Sequence, residues 1–275
     1  MTPADAERAR TLTVNGVRLE CIDRGNGPPL LFLHPGIGIA PDTRVLDLLS
    51  RTHRVIAPSH PGFGNSELPK AMTTVDDLAY FYLDLLDALD LHDLVVVGIS
   101  FGAWIAAEMA VKTTDRLSHL VLANPVGIKV GDRETRDIAD IWALTDEQFA
   151  ELAYCDPKLG LPDYKSMPEA EVRIAARNRE TLARFAWSPY LHNPKLKGRL
   201  HRIRIPTLFL WGAADRILSE PYGRAYCAAI PGAQFECIER AGHFPHIEQP
   251  DEFARRTLAF IDAAPMRIRA RRQGA

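Results

Sequence analysis

A serine flanked by glycines carries the strongest chemical signal in the sequence, because residues 98–102 read G-I-S-F-G and fit a G-x-S-x-G pattern. The pattern directly follows an apolar, β-branched run at residues 94–97 and directly precedes a helical pattern that begins at residue 104. On a sharp strand-to-helix turn, small flanking residues avoid a collision with neighbouring backbone and leave the serine hydroxyl exposed above the sheet. The alternative is a tight turn without chemistry. The context favours Ser100 as a nucleophile.

A serine hydroxyl is a weak nucleophile at neutral pH, so it needs a histidine base and a carboxylate that orients this base. Asp215 follows an apolar strand pattern at residues 207–211, and His243 follows the next strand pattern. Loops at the carboxyl ends of parallel strands meet at one edge of a sheet. We therefore predict that Ser100, Asp215 and His243 form a catalytic triad.

Two other residues compete for the roles of base and acid. His246 lies close to His243 in sequence, but its position beside a predicted helix favours a structural role. Asn124 follows a predicted strand at a position from which an acid could also act, but an asparagine cannot hold a negative charge. Asp215 itself has an alternative as the surface partner of Arg216. We keep Asp215 as the acid and His243 as the base.

Acyl transfer also requires N–H donors for the negatively charged oxygen of the intermediate. The residue after the nucleophile, Phe101, supplies one backbone N–H. The second donor is expected in the loop at residues 34–38, H-P-G-I-G, which follows a continuously apolar strand pattern. Pro35 has no N–H. Gly36 is therefore the first choice and Ile37 the second.

Strand and helix patterns alternate through the first half of the chain and return near its end. An Asn-Gly pair at residues 15–16 joins two short strand patterns, which indicates a hairpin at an antiparallel edge. The later strand patterns are continuously apolar, as is typical of strands covered on both faces. Such alternation with short connections predicts the α/β class, with a doubly wound, mostly parallel sheet and helices on both faces.

The alternation stops in the middle of the chain, where helical patterns separated by prolines replace the strand patterns. These helical patterns occupy residues 133–143, 146–154 and 169–185. We predict a core built from residues 1–124 and 203–275, interrupted by a helical cap, or lid, at residues 125–202, which we call the cap segment. Aromatic residues of such a cap either line a substrate pocket or pack its interior. Trp187 in the cap segment and Phe244 after the base are predicted to bind substrate.

Composition limits the classes of partner. The chain has 275 residues, 47% of them hydrophobic, and a net charge of −2, which provides no broad positive field for nucleic acid or anionic membranes. The sequence has no signal-peptide pattern and no membrane-length apolar run, and its four cysteines lack metal-binding spacing. We predict a cytoplasmic enzyme with a small-molecule substrate, no metal or cofactor and no nucleic-acid or membrane partner. A homodimer remains open, and the basic stretch at residues 266–275 is interpreted as a solvated tail.

These motifs together resemble the α/β-hydrolase superfamily, specifically its capped, cofactor-free esterase and C–C hydrolase branch, over nearly the whole chain. The resemblance implies Ser100 as nucleophile, Asp215 as acid and His243 as base, with the oxyanion segment at residues 34–36. Proline at position 35 departs from the usual His-Gly pair of the family. Serine at position 100 disfavours the dehalogenases and epoxide hydrolases of the superfamily, which use an aspartate nucleophile.

The resemblance also narrows the reaction. C–C hydrolases of ring-cleavage products often carry asparagine before the serine and tryptophan after the histidine, where this chain has Ile99 and Phe244. Proline iminopeptidases typically have tryptophan where this chain has Phe101. The expected activity is therefore carboxylesterase-like: hydrolysis of a small carboxylic ester, lactone or thioester through an acyl-enzyme on Ser100. The alternatives are a C–C hydrolase of ring-cleavage products, a ligand receptor that retains the triad, and a cofactor-free oxidative enzyme.

Overall fold

The computed structural model describes residues 10–263 and contains one eight-stranded sheet. The strands are β1 (Arg10–Val14), β2 (Val17–Arg24), β3 (Pro29–Leu33), β4 (Arg54–Pro58), β5 (Leu94–Ile99), β6 (Leu117–Ala123), β7 (Thr207–Gly212) and β8 (Gln234–Ile238). Their order is β1-β2-β4-β3-β5-β6-β7-β8, with antiparallel pairing at β1-β2 and β2-β4 and parallel pairing elsewhere. The prediction of a doubly wound, mostly parallel sheet is confirmed. The basic stretch at residues 266–275 lies outside the described residues.

Helices cover the sheet and also build the cap segment. They are α1 (Arg44–Leu49), α2 (Val75–Ala88), α3 (Phe101–Lys112), α4 (Asp146–Ala153), α5 (Glu169–Ala186), α6 (Glu220–Ala228), α7 (Pro245–Glu248) and α8 (Pro250–Ala263), with short 3-10 helices at Pro157–Gly160 and Lys197–Arg202. The helices α4 and α5 lie between β6 and β7, within the cap segment. Within residues 10–263, no helix has the length and apolarity needed to cross a membrane.

The centre of the sheet holds the strand–turn–helix unit that carries Ser100. Every residue of β5 and of its near neighbour β7 is buried, as the continuous apolar runs predict. The helix α3 is also buried along almost its whole length, from Phe101 to Val111. Because β5 lies between β3 and β6, Ser100 follows a strand that has neighbours on both sides.

One predicted helix of the cap segment is wrong. Residues 133–143 form no helix, and Ile138 makes an isolated antiparallel bridge with Leu218. The carboxylate of Asp137 accepts the backbone N–H of Gly131 at 3.0 and 3.1 Å. Within the stretch, the N–H of Ala139 donates to the carbonyl oxygen of Ile217 at 3.0 Å and that of Ile141 donates to the hydroxyl of Tyr190 at 2.8 Å. Distant partners therefore take donors that a helix would pair internally.

Candidate active site

The backbone at Ser100 is strained. Ser100 has φ 51° and ψ −109°, at the turn from β5 into α3. A Cβ on Gly98 would lie 2.6 Å from the backbone of the following helix, and one on Gly102 would lie 2.1 Å from the carbonyl oxygen of Leu33. The G-x-S-x-G pattern therefore reflects space as well as strain, since neither flanking position has room for a side chain.

Three predicted site residues meet above the carboxyl ends of the strands. The Oγ atom of Ser100 lies 2.8 Å from Nε2 of His243, and Nδ1 of His243 lies 2.8 Å from Oδ2 of Asp215. All three residues are buried or nearly so. Because an ionised carboxylate only accepts hydrogen bonds, Nδ1 carries the imidazole proton and Nε2 presents its lone pair to the serine hydroxyl. This arrangement can remove a proton from Ser100.

The carboxylate of Asp215 is fixed by donors on both of its oxygens. Oδ1 accepts the backbone N–H of Ile217 at 2.8 Å and that of Leu218 at 3.1 Å. Oδ2 accepts a hydrogen bond from Nδ2 of Asn124 at 2.6 Å, and the amide oxygen of Asn124 accepts the N–H of Gly212 at 3.0 Å. Sequence reasoning weighed Asn124 only as a replacement acid and missed its hydrogen bond to Asp215. Its position at the end of β6, beside β7, is the signal that could have identified it.

The predicted oxyanion loop is fixed by hydrogen bonds to the carbonyl oxygen of Pro35. The carbonyl oxygen of Pro35 accepts hydrogen bonds from Nδ1 of His34 at 2.7 Å and from the N–H of Gly38 at 3.0 Å. In a trans peptide the N–H points opposite to the C=O, so the N–H of Gly36 points away from these groups. Within residues 10–263, the N–H groups of Gly36 and Ile37 have no hydrogen-bond partner. Either is free to serve as the second donor with Phe101, and Gly36 stays the first choice.

A buried pair of histidines braces this loop. The N–H of His60 donates to Nε2 of His34 at 2.8 Å, and Nε2 of His60 donates to the carbonyl oxygen of His34 at 2.9 Å. The two rings lie 3.7 Å apart, and the hydroxyl of Tyr82 donates to Nδ1 of His60. Burial lowers the pKa of His34 to about 4 and lowers that of His60 well below its ordinary value. Both rings are therefore neutral at neutral pH, in fixed tautomers that the sequence alone did not predict.

The cavity beside Ser100 is narrow and apolar, with a free volume of about 40 Å³. Its walls come from the cap segment and from the core: Val126, Ile141, Phe149, Leu191, Ile217 and Phe244. Phe244, which was predicted to bind substrate, is 2% exposed, and its ring centre lies 5.0 Å from that of His243. Among the described residues that line the cavity, none is Lys, Arg, Asp or Glu. The site therefore suits a small apolar group.

Trp187 is not brought to this cavity, contrary to the expectation from sequence. Its side chain is 59% exposed, lines a separate surface groove and packs against Trp142 at a ring-centre distance of 5.3 Å. Leu182 on α5 lies in the wall of the catalytic cavity. Five residues along a helix correspond to a rotation of about 140°, so a position five residues after Leu182 faces elsewhere.

The competing histidine has a different environment. His246 is buried, and its ring packs near those of Phe32 and Phe253. Burial lowers its pKa to about 3, and its Nδ1 atom has no hydrogen-bond partner among residues 10–263. His243, rather than His246, holds the hydrogen bond to Ser100.

Comparison with known proteins gives a consistent group of relatives. The chain matches the model of the alpha/beta hydrolase family over residues 30–256. It is similar to a 2-hydroxy-6-oxo-2,4-heptadienoate hydrolase of Pseudomonas putida, with 27% identity over 96% of this chain and 99% of that protein. Among solved structures it resembles a meta-cleavage product hydrolase from Pseudomonas fluorescens, with a TM-score of 0.76, 23% identity and coverage of 94% and 100% of the two chains. It also resembles carboxylesterase CesB of Bacillus subtilis, with a TM-score of 0.72, 20% identity and coverage of 94% and 92%.

Proposed function

The chain belongs to the alpha/beta hydrolase family, and from this premise we propose that it is a serine hydrolase of small, uncharged carboxylic esters, lactones or thioesters. The observation that carries the proposal is the buried relay of hydrogen bonds from Ser100 through His243 to Asp215, at 2.8 Å for each step. The relay opens into an apolar cavity where an acyl group can lie against Ser100.

The proposed reaction has two halves. In the first, Nε2 of His243 takes the proton of Ser100 as Oγ attacks the carbonyl carbon, and the backbone N–H groups of Phe101 and Gly36 stabilise the oxyanion. His243 then gives this proton to the leaving alcohol or thiol, and an acyl-enzyme remains. In the second half, His243 takes a proton from water, which attacks the acyl carbon, and Ser100 leaves with its proton restored. Asp215 stabilises the imidazolium in both halves.

The size and polarity of the cavity support a small, neutral acyl group. About 40 Å³ of free space accommodates only a few heavy atoms without movement of the surrounding side chains. Burying a charged group among apolar side chains is costly unless a partner of opposite charge is present. Acetyl-sized and slightly larger neutral acyl groups fit both requirements.

A second candidate is hydrolysis of a C–C bond in a ring-cleavage product, which the name of the Pseudomonas putida relative favours. The same triad would serve that reaction. The substrate in that name is a carboxylate, however, and no Lys or Arg is found among the described residues that line the cavity. We therefore place ester hydrolysis first.

The experiment compares p-nitrophenyl acetate, p-nitrophenyl butyrate and a 2-hydroxy-6-oxo-dienoate on the wild-type protein, on Ser100→Ala and on Ser188→Ala, a control at a serine of the cap segment. We expect the wild type and the control to hydrolyse the acetate, and Ser100→Ala to lose kcat by about a millionfold. A fluorophosphonate should label Ser100, as seen by peptide mass spectrometry.

Three results would contradict the proposal. Faster turnover of the dienoate would establish the second candidate. Labelling of Ser100 without turnover of any substrate would indicate a ligand receptor or a cofactor-free oxidative enzyme. Wild-type turnover by Ser100→Ala would move the reaction to another site.

A further inference from the structure

The side chain of Glu248, the last residue of α7, accepts hydrogen bonds from three backbone N–H groups. These groups belong to two segments that are far apart in the sequence. Its Oε1 atom accepts the N–H of Cys155 at 2.9 Å and that of Asp156 at 3.1 Å. Its Oε2 atom accepts the N–H of Gly242 at 2.6 Å. Cys155 and Asp156 belong to the cap segment, whereas Gly242 immediately precedes the predicted base, His243.

The next residue of the same loop, His243, is also bonded to the cap segment, and we call residues 241–243 the base loop. The N–H of His243 donates to the carbonyl oxygen of Ala153, the last residue of α4, at 2.6 Å. Two consecutive N–H groups of the loop are thus fixed, one by Glu248 and one by the cap segment. The acid loop is attached to the same helix, because the N–H of Arg216 donates to the carbonyl oxygen of Leu152 at 3.0 Å.

The base loop and the cap segment are in direct backbone contact. A Cβ placed on Gly242 would lie 2.3 Å from the carbonyl oxygen of Ala153, so the two backbones touch where a side chain would otherwise keep them apart. A carboxylate suits this junction, because it has two acceptor oxygens and no donor. A carboxamide has only one acceptor oxygen, and its NH₂ group would face a backbone N–H.

We propose that Glu248 is a positioning residue for the catalytic base, since its carboxylate locks residues 153–156 of the cap segment onto the His243 loop. This end of the cap segment is then fixed to the loop that carries His243. The inference rests on the proposed function only in the role it gives to His243.

The test replaces the carboxylate with Glu248→Gln. We expect the rate of fluorophosphonate labelling of Ser100 and kcat for p-nitrophenyl acetate to fall by about 10- to 100-fold, with KM changed less than about twofold, because small misplacements of a catalytic group have effects of this size. Hydrogen exchange followed by mass spectrometry should show faster exchange in two segments together, residues 153–156 and 241–243.

Asp137→Asn is the matched control. Asp137 also accepts backbone N–H groups within the cap segment, from Val130 and Gly131, but its bonds do not reach the base loop. We expect Asp137→Asn to lower Tm while the labelling rate and the exchange of residues 241–243 stay as in the wild type. Glu248→Asp, which keeps the charge on a shorter side chain, should label at a rate between wild type and Glu248→Gln, and it replaces the latter as the test if Glu248→Gln does not fold.

Two results would overturn the proposal: a wild-type labelling rate in the Glu248 variant tested, or faster exchange confined to only one of the two segments. The failure of the proposed function looks different. If the wild-type protein is not labelled at all, the serine hydrolase assignment fails, and hydrogen exchange alone decides the role of Glu248.

Discussion

The two helices of the cap segment contact the catalytic loops through different chemistry. The end of α4 contacts the base and acid loops through main-chain carbonyls, those of Leu152 and Ala153. The helix α5 contacts the oxyanion side through side chains. Nδ2 of Asn178 donates to the carbonyl of Ile37 at 3.0 Å, and the hydroxyl of Thr181 donates to that of Gly62 at 3.0 Å. The hydrogen bonds from α4 to the His243 and Asp215 loops therefore use main-chain atoms, whereas those from α5 to Ile37 and Gly62 use side chains.

Among the variants that test this comparison, the largest fall in kcat is expected when the predicted acid, Asp215, is replaced. Asp215→Asn keeps the shape of the side chain but favours the wrong imidazole tautomer, so kcat should fall by roughly 10⁴-fold with p-nitrophenyl acetate as substrate. Asn124→Ala removes only one donor to the carboxylate and should reduce kcat by about 10-fold. A mild loss in Asp215→Asn would mean that another carboxylate orients His243.

The next expected effect is on stability, and it tests the buried pair His34 and His60 next to the predicted oxyanion loop. The pKa of His34 is about 4 in the folded protein, below the ordinary value of about 6.5, so between these values the unfolded chain binds more protons. The resulting contribution of His34 to the free energy of unfolding is fully present above about pH 6.5 and is lost as the pH falls toward 4. It amounts to about 3 kcal/mol. Burial shifts the pKa of His60 in the same direction.

Urea unfolding at intervals from pH 7.5 to 4 measures this loss. The His34→Gln variant should be less stable at pH 7.5 and should show a shallower dependence on pH. An identical slope in His34→Gln would show that the acid sensitivity arises elsewhere.

A smaller effect is expected from the side chains of α5. Asn178→Ala frees the carbonyl of Ile37 and leaves the N–H of Gly64 without its acceptor, Oδ1 of Asn178, which lies 2.9 Å away. A loosened oxyanion loop should reduce kcat by about 10-fold, below the loss typical of a missing donor. Arg173→Ala, on the same helix and ion-paired with Glu169, is the control and should leave kcat unchanged. Equal kcat values in the two variants would remove the distinction between the two helices.

The smallest effect separates wall residues from surface residues of the cap segment. Trp187→Ala should leave the ratio of butyrate to acetate turnover unchanged, because this side chain lies outside the cavity. Phe149→Ala should raise that ratio, because Phe149 on α4 lines the cavity and its truncation makes space for a longer acyl chain. A change of ratio in Trp187→Ala alone would reverse these assignments.

The sequence predicted the sheet and the strained turn at Ser100 because both depend on local patterns. Buried parallel strands are continuous apolar runs, and the turn at Ser100 needs glycines at fixed spacing. The contacts of Glu248 with Cys155 and Asp156 span 93 and 92 residues, and no local pattern predicts them. The prediction of a helix at residues 133–143 was wrong for a related reason, since the N–H groups of Ala139 and Ile141 donate to Ile217 and Tyr190, which are distant in the sequence.

The hydrogen bonds from α4 to the His243 and Asp215 loops are accepted by main-chain carbonyls, so they do not require particular side chains on this helix. Phe149 shapes the cavity from a helix whose hydrogen bonds to the His243 and Asp215 loops are made by its main-chain carbonyls, while its ring centre lies 6.4 Å from that of Phe244. A library that varies this position is therefore expected to change the acyl pocket while these main-chain hydrogen bonds remain. On α4, selectivity and the position of the base therefore depend on different atoms, side chains for the first and main-chain carbonyls for the second.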